Sequence, residues 1–149
     1  MENGVKTVVV LAGGYSSEHE ISLASGQTAF AAFEAAGYRT LFVKVERSGY
    51  SLDGKDVRIE DLGADYVFNS IHGSPGEDGH ISGVLEVLNI PHSTCATFQS
   101  ALTFNKAQCN AVLRDAGILV PKGELFNEFP GAAAFKHWQF PVFVKPNCA

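Results

Sequence analysis

Residues Lys6 to Gly14 read KTVVVLAGG, and this stretch decides the fold. Five consecutive apolar residues, three of them β-branched, predict a strand over Lys6–Ala12 that is buried on both faces, as in a parallel sheet. The Gly13-Gly14 pair ends it with residues that allow a sharp turn. Next comes YSSEHEIS, Tyr15 to Ser22. Ser17 and Glu20 have capping-box spacing, which predicts a helix from near Ser17. Ile21, Ala24, Thr28, Ala31 and Ala35 recur at helical spacing beside Phe30 and Phe33. Gly37 stands where a helix C-terminal glycine belongs.

Working outward, Thr40–Val45 (TLFVKV) predicts a second strand and Tyr66–Ile71 (YVFNSI) a third. Tyr50–Ile59 reads as a hairpin about Asp53-Gly54, a favoured tight-turn pair. Residues 72–79, HGSPGEDG, form a polar glycine-rich loop. Asp78 is positioned to cap a helix over His80–Asn89, with Ile81, Val84, Leu85 and Leu88 on one face. The order β-α-β-hairpin-β-α implies a mostly parallel sheet. Ligands in such sheets bind at the C-terminal strand ends. The loops 13–18 and 72–79 both follow strands, so they are expected to open onto one edge.

Beyond this unit, Lys106–Ala116 predicts a helix closed by Gly117, Pro130 a helix start running to Trp138, and Phe140–Val144 (FPVFV) a strand. That last strand has no partner strands in the sequence after it. The expectation is a truncated second domain, completed in a longer chain or by another subunit.

Composition narrows the classes. The chain has 149 residues, 46% apolar and 18% charged, with a net charge of -5. It is a globular composition without a Lys/Arg run, which argues against nucleic-acid binding. No apolar run reaches the ~18 residues of a membrane span, and Met1-Glu2-Asn3-Gly4 lacks signal-peptide character, so a cytoplasmic location is expected. Cys95, Cys109 and Cys148 lack C-x-x-C spacing and read as small semi-buried thiols. His80, His92 and Cys95 lack metal-ligand spacing.

Several residues carry chemistry if the loops meet. Gly13-Gly14 before a helix suits an anion, or is an ordinary turn. Glu18 suits a cation, or simply complements the helix dipole. His72 is a strand-end base or a structural hydrogen-bonder. Lys106 and Lys145 are surface residues or point charges for a phosphate.

Taken together, the motifs resemble a known family. LAGGYSSEHEIS (Leu11–Ser22) and HGSPGEDGHISGVLEVLNIPH (His72–His92) resemble the two N-terminal signatures of D-alanine–D-alanine ligases. ALTFNK (Ala101–Lys106), AGILVP (Ala116–Pro121) and FPVFVKP (Phe140–Pro146) are similar to the opening of that family's central ATP-grasp domain. Ser82 stands where the family usually has Gln, and Phe104-Asn105 where it has Met-Asp. The resemblance implies an α/β protein: a Rossmann-like (pre-ATP-grasp) parallel-sheet domain over residues 1–103, then the truncated start of an ATP-grasp domain over 104–149. It implies ATP-dependent joining of two D-alanines through an acyl phosphate, for peptidoglycan synthesis. Catalysis is expected from Glu18 and His72, substrate binding from Gly13, Gly14, Glu18, Ser22 and His72, and ATP contacts from Lys106 and Lys145. The Mg2+ ligands are expected after residue 149, so the segment alone is expected to be inactive. A homodimer through the N-terminal domain is expected, with no nucleic-acid or membrane partner. A D-alanyl-D-lactate-forming ligase and a non-catalytic small-molecule-binding module are the rival readings.

Overall fold

The computed structural model describes residues 5–148. Strand β1, Thr7–Gly13, is buried along its whole length. Helix α1 follows over His19–Ala35, then strands β2 (Arg39–Glu46), β3 (Gly49–Leu52), β4 (Lys55–Val57) and β5 (Tyr66–Asn69). Helices α2 (His80–Val87), α3 (Thr97–Phe104) and α4 (Lys106–Asp115) complete the regular structure, with short 3-10 turns at Ile59–Leu62 and Ala132–Phe135. The sheet order is β4-β3-β2-β1-β5. β1 pairs in parallel with β2 and with β5, whereas β2–β3 and β3–β4 are antiparallel. The sheet is thus mixed, with its parallel half at the glycine-rich loops.

Central β1 explains the uninterrupted apolar run. Val9 and Leu11 join the main core with Val43, Val45, Val67, Ile71, Ile81 and Leu85. Ala12 on the other side meets α1 at Gly26. Burying each of these larger side chains contributes roughly 1.5–3 kcal/mol.

The packed face of α1 differs from the predicted one. Ile21 is 56% exposed, and Ala24, Thr28, Ala31 and Ala35 also face outward. The inward positions are Ser22, Gly26, Phe30 and Phe33, which also have helical spacing. The physical reason is proximity to the sheet. A Cβ on Gly26 would lie 2.6 Å from the Ala12 Cβ, so only a residue without a side chain fits. Phe30 packs edge-on against Phe42 and Phe33 against Phe68, filling the space where the helix is farther away.

The predicted capping box does not form. α1 starts at His19 with Glu18 in the cap position and no side-chain cap. Ser16, not Ser17, takes the Glu18 N–H at 3.1 Å. The other end is as expected. Gly37 N–H reaches the Glu34 carbonyl (2.9 Å) and Tyr38 N–H the Phe33 carbonyl (3.1 Å), while the Phe33 and Tyr38 rings pack against each other. This is the two-bond C-terminal closure with its apolar clasp.

The Asp53-Gly54 turn joins β3 to β4 with both residues at positive φ, as a tight hairpin requires. Asp78 accepts the His80 N–H at 3.1 Å, and α2 ends two residues earlier than expected. Helix α3 was not predicted. Its start is held from outside by Glu86, whose carboxylate accepts the Thr97 N–H (2.9 Å) and hydroxyl (2.8 Å).

The last third departs further from expectation. The helix from Pro130 is reduced to the 3-10 turn Ala132–Phe135. Phe140–Val144 forms no strand. A strand requires ladder partners for its backbone groups, and none among the described residues lies beside it. Phe143 is 96% exposed. Cys95 and Cys148 are exposed rather than semi-buried, Cys109 is half-buried, and all three are free thiols. No helix is long and apolar enough to cross a membrane among the described residues.

Candidate functional site

The two glycine-rich loops meet at the C-terminal end of β1 and β5. Tyr15 N–H donates to the Ser74 carbonyl (3.1 Å), and the Ser16 hydroxyl donates to the His72 carbonyl (2.7 Å). The expectation of a shared edge is therefore met.

Gly13 and Gly14 make this approach possible. Both have positive φ, and a Cβ on Gly14 would lie 2.6 Å from Ile71 Cγ2. Their amides, however, are committed. Gly13 N–H donates to the Ser22 hydroxyl (2.8 Å) and Gly14 N–H to the Val45 carbonyl (2.8 Å). The open choice between anion site and turn is thus settled for these two residues: they turn the chain and offer no N–H to an anion. Ser22 needs a similar correction. It is fully buried, accepting from Gly13 and donating to the Ser70 carbonyl at 2.8 Å. Its hydroxyl ties α1 to the ends of β1 and β5.

Glu18 and His72 lie on either side of the joined loops. Glu18 is exposed at the start of α1, and its Oε2 would lie 4.0 Å from a Cβ on Gly73, so the carboxylate hangs beside the His72–Gly73 turn. His72 is half-buried. Its ring Nε2 is 3.3 Å from the Ser25 hydroxyl, two turns along α1 from Glu18. Arg47, after β2, lies over the Tyr15 ring at 4.3 Å from its centroid and adds a positive rim that sequence reading missed.

Loop 72–79 is stiffened from within. Glu77 accepts the Gly73 N–H at 2.9 Å. Asp78 receives the Ser74 hydroxyl and pairs with His80 at 2.7 Å. Partial burial pushes the Asp78 carboxyl up, but the hydrogen bonds from Ser74 and His80 outweigh it and hold the group below the ordinary Asp range. Asn69, also missed, donates to the Gly76 carbonyl (3.0 Å) and accepts the Ile71 N–H (3.2 Å). An asparagine closing an apolar strand is the signal that pointed to it.

On the other side of this loop is a cleft of about 520 Å³, lined by Asn69, Glu77, Ser93, Cys95, Thr103 and Lys106 among others. Lys106 opens α4 there. Lys145 is exposed in the extended C-terminal stretch and does not line the cleft. Among the described residues, no three metal-binding side chains gather.

No protein-family model matches the chain. It is 44% identical over 144 residues to a D-alanine–D-alanine ligase of Xanthobacter autotrophicus, covering 95% of this chain and 44% of that protein. It is 35% identical over 162 residues to one from Flavobacterium johnsoniae, covering 97% and 50%. Among solved structures, D-alanyl-alanine synthetase A from Vibrio cholerae superposes with a TM-score of 0.78 at 29% identity, over 90% of this chain and 46% of that one. The Aeromonas hydrophila D-alanine–D-alanine ligase gives 0.75 at 28%, over 89% and 55%. The chain spans about half the length of the relatives it matches.

Proposed function

We propose that this chain, which matches the N-terminal portion of D-alanine–D-alanine ligases, supplies the first-substrate side of an ATP-dependent ligase that joins two D-alanines. The observation that carries the reading is the meeting of loops 13–18 and 72–79, which sets Glu18 beside the His72–Gly73 turn. A carboxylate at this mouth suits the ammonium group of a D-alanine, and the half-buried imidazole of His72 supplies a second polar contact to the same molecule.

ATP provides the phosphoryl group that activates the first D-alanine carboxylate as an acyl phosphate. The amine of the second D-alanine then attacks the carbonyl carbon, and phosphate leaves with the C–O bonding electrons. The part we assign to this chain is electrostatic: Lys106 and Lys145 stabilise the negative charge of the phosphates. The described residues do not fit a Mg2+ site, since no three metal-binding side chains gather among them. We further propose a domain boundary near residue 103, a cytoplasmic homodimer built through the N-terminal domain, a role in peptidoglycan synthesis, and no ligation by residues 1–149 alone. The span of about half the relatives' length supports the last point.

The test is Glu18→Gln in the full-length protein. The KM for the first D-alanine is expected to rise about tenfold or more, with the KM for ATP within about twofold. An unchanged D-alanine dependence removes Glu18 from the site. Absence of D-alanine-dependent ADP release from the full-length wild-type protein overturns the reading itself.

A further inference from the structure

The first turn of α4 has an unusual origin for its hydrogen bonds. A helix start leaves four N–H groups without helical partners. The first regular helical bond runs from Cys109 N–H to the Asn105 carbonyl (2.9 Å), and Gln108 N–H, in the first turn, reaches the Asn105 side-chain oxygen (3.0 Å). Two more first-turn donors are taken by a residue 40 positions beyond Ala107. Lys106 N–H donates to the Asn147 carbonyl (3.1 Å), and Ala107 N–H to Asn147 Oδ1 (2.9 Å). Asn147 Nδ2 then donates to Asn105 Oδ1 (3.0 Å), closing the ring. Asn105 and Cys148 also form an isolated antiparallel bridge.

Two consequences follow. With the N–H groups of Lys106, Ala107 and Gln108 occupied, the first turn offers none of these three to an anion, and no acidic residue stands in it. Attraction for a phosphate therefore falls to lysine side chains. The same ring ties the backbone of Lys106 to a residue two places after Lys145, at most roughly 7 Å of chain away. Lys145 precedes Pro146, which restricts it to extended conformations. The Asn147 ring thus sets the spacing between two cations from distant parts of the sequence.

We infer that Asn147 is a positioning residue, which clamps the start of α4 and holds Lys106 and Lys145 at one spacing for the phosphates of a nucleotide. This inference rests on the ATP-dependent reading above and adds a residue to it. Asn105 is its hydrogen-bond partner.

The test is Asn147→Ala in the full-length protein, with both substrates varied and with ADP-induced thermal stabilisation measured separately. The expected result is a KM for ATP about tenfold higher, a KM for D-alanine within about twofold, and a reduced thermal shift at a given ADP concentration. Equal rises in both KM values, or an undiminished ADP shift, overturn the positioning role. If Asn147→Ala does not fold, Asn147→Ser carries the same test, since it retains an oxygen and loses the amide donor. A wild-type protein that binds ADP but does not join D-alanine overturns the ligase reading alone, and the ADP shift of the variant still decides the clamp.

Discussion

Residues 7–13 and 140–144 carry nearly the same local signal and have opposite fates. TVVVLAG is buried throughout and pairs on both edges. FPVFV forms no strand, with Phe143 96% and Val144 78% exposed. Apolar, β-prone residues are a necessary condition for a strand, while the ladder comes from neighbours. β1 has β2 and β5 beside it and α1 above it. The later segment has only the Asn105–Cys148 bridge near its end.

This contrast is open to direct attack. The largest effect is expected at the contact between β1 and α1: Gly26→Val forces a side chain into the Ala12 Cβ and is expected to cost about 3 kcal/mol or more. Leu11→Ala, in the same strand, is expected to cost about 2–5 kcal/mol. Both are read by urea unfolding of the full-length protein. A cost below about 1 kcal/mol for either would mean that β1 is not the packed centre. Ser22→Ala comes next, at about 1–3 kcal/mol, because it leaves the buried Gly13 N–H and Ser70 carbonyl without their partner. A neutral result would show that the tie is dispensable.

The Asp78 carboxyl should give a smaller, pH-dependent effect. Its pKa is held down in the folded state. The associated stability is therefore present above the ordinary Asp value of 3.8 and is lost as pH falls through the lower folded value. Solvent screening keeps it below about 1 kcal/mol. Asp78→Asn should flatten that acid limb, and unfolding at pH 3 against pH 6 measures it. Smallest of all, Phe143→Ser within residues 1–149 should change stability by no more than about 0.5 kcal/mol. A loss as large as that of Leu11→Ala would erase the contrast.

Much of the sheet half could be read in advance, because strands, hairpin and glycine-rich loops follow from local chemistry. The inner face of α1 could not. It is lined by Ser22 and Gly26, and a close helix–sheet contact selects small residues that carry no hydrophobic signal. Helix α3 was missed because Glu86, from another helix, holds its start. The meeting of the loops was legible. The committed amides of Gly13 and Gly14, and the burial of Ser22, were not, since hydrogen-bond partners 9 to 48 residues away leave no periodic trace. The same holds for Asn147.

The Ser22 oxygen joins three elements at one atom, and this divides the mouth of the site into fixed and adjustable parts. Positions 13, 14, 22 and 70 behave as a hinge pin: altering one disturbs both loops together. Tyr15, Ser17 and Glu18 are exposed around that pin, so their side chains are free to vary without loosening it. Selection for a different small ligand, in nature or in a library, is therefore expected to collect its changes at the rim and leave the pin intact.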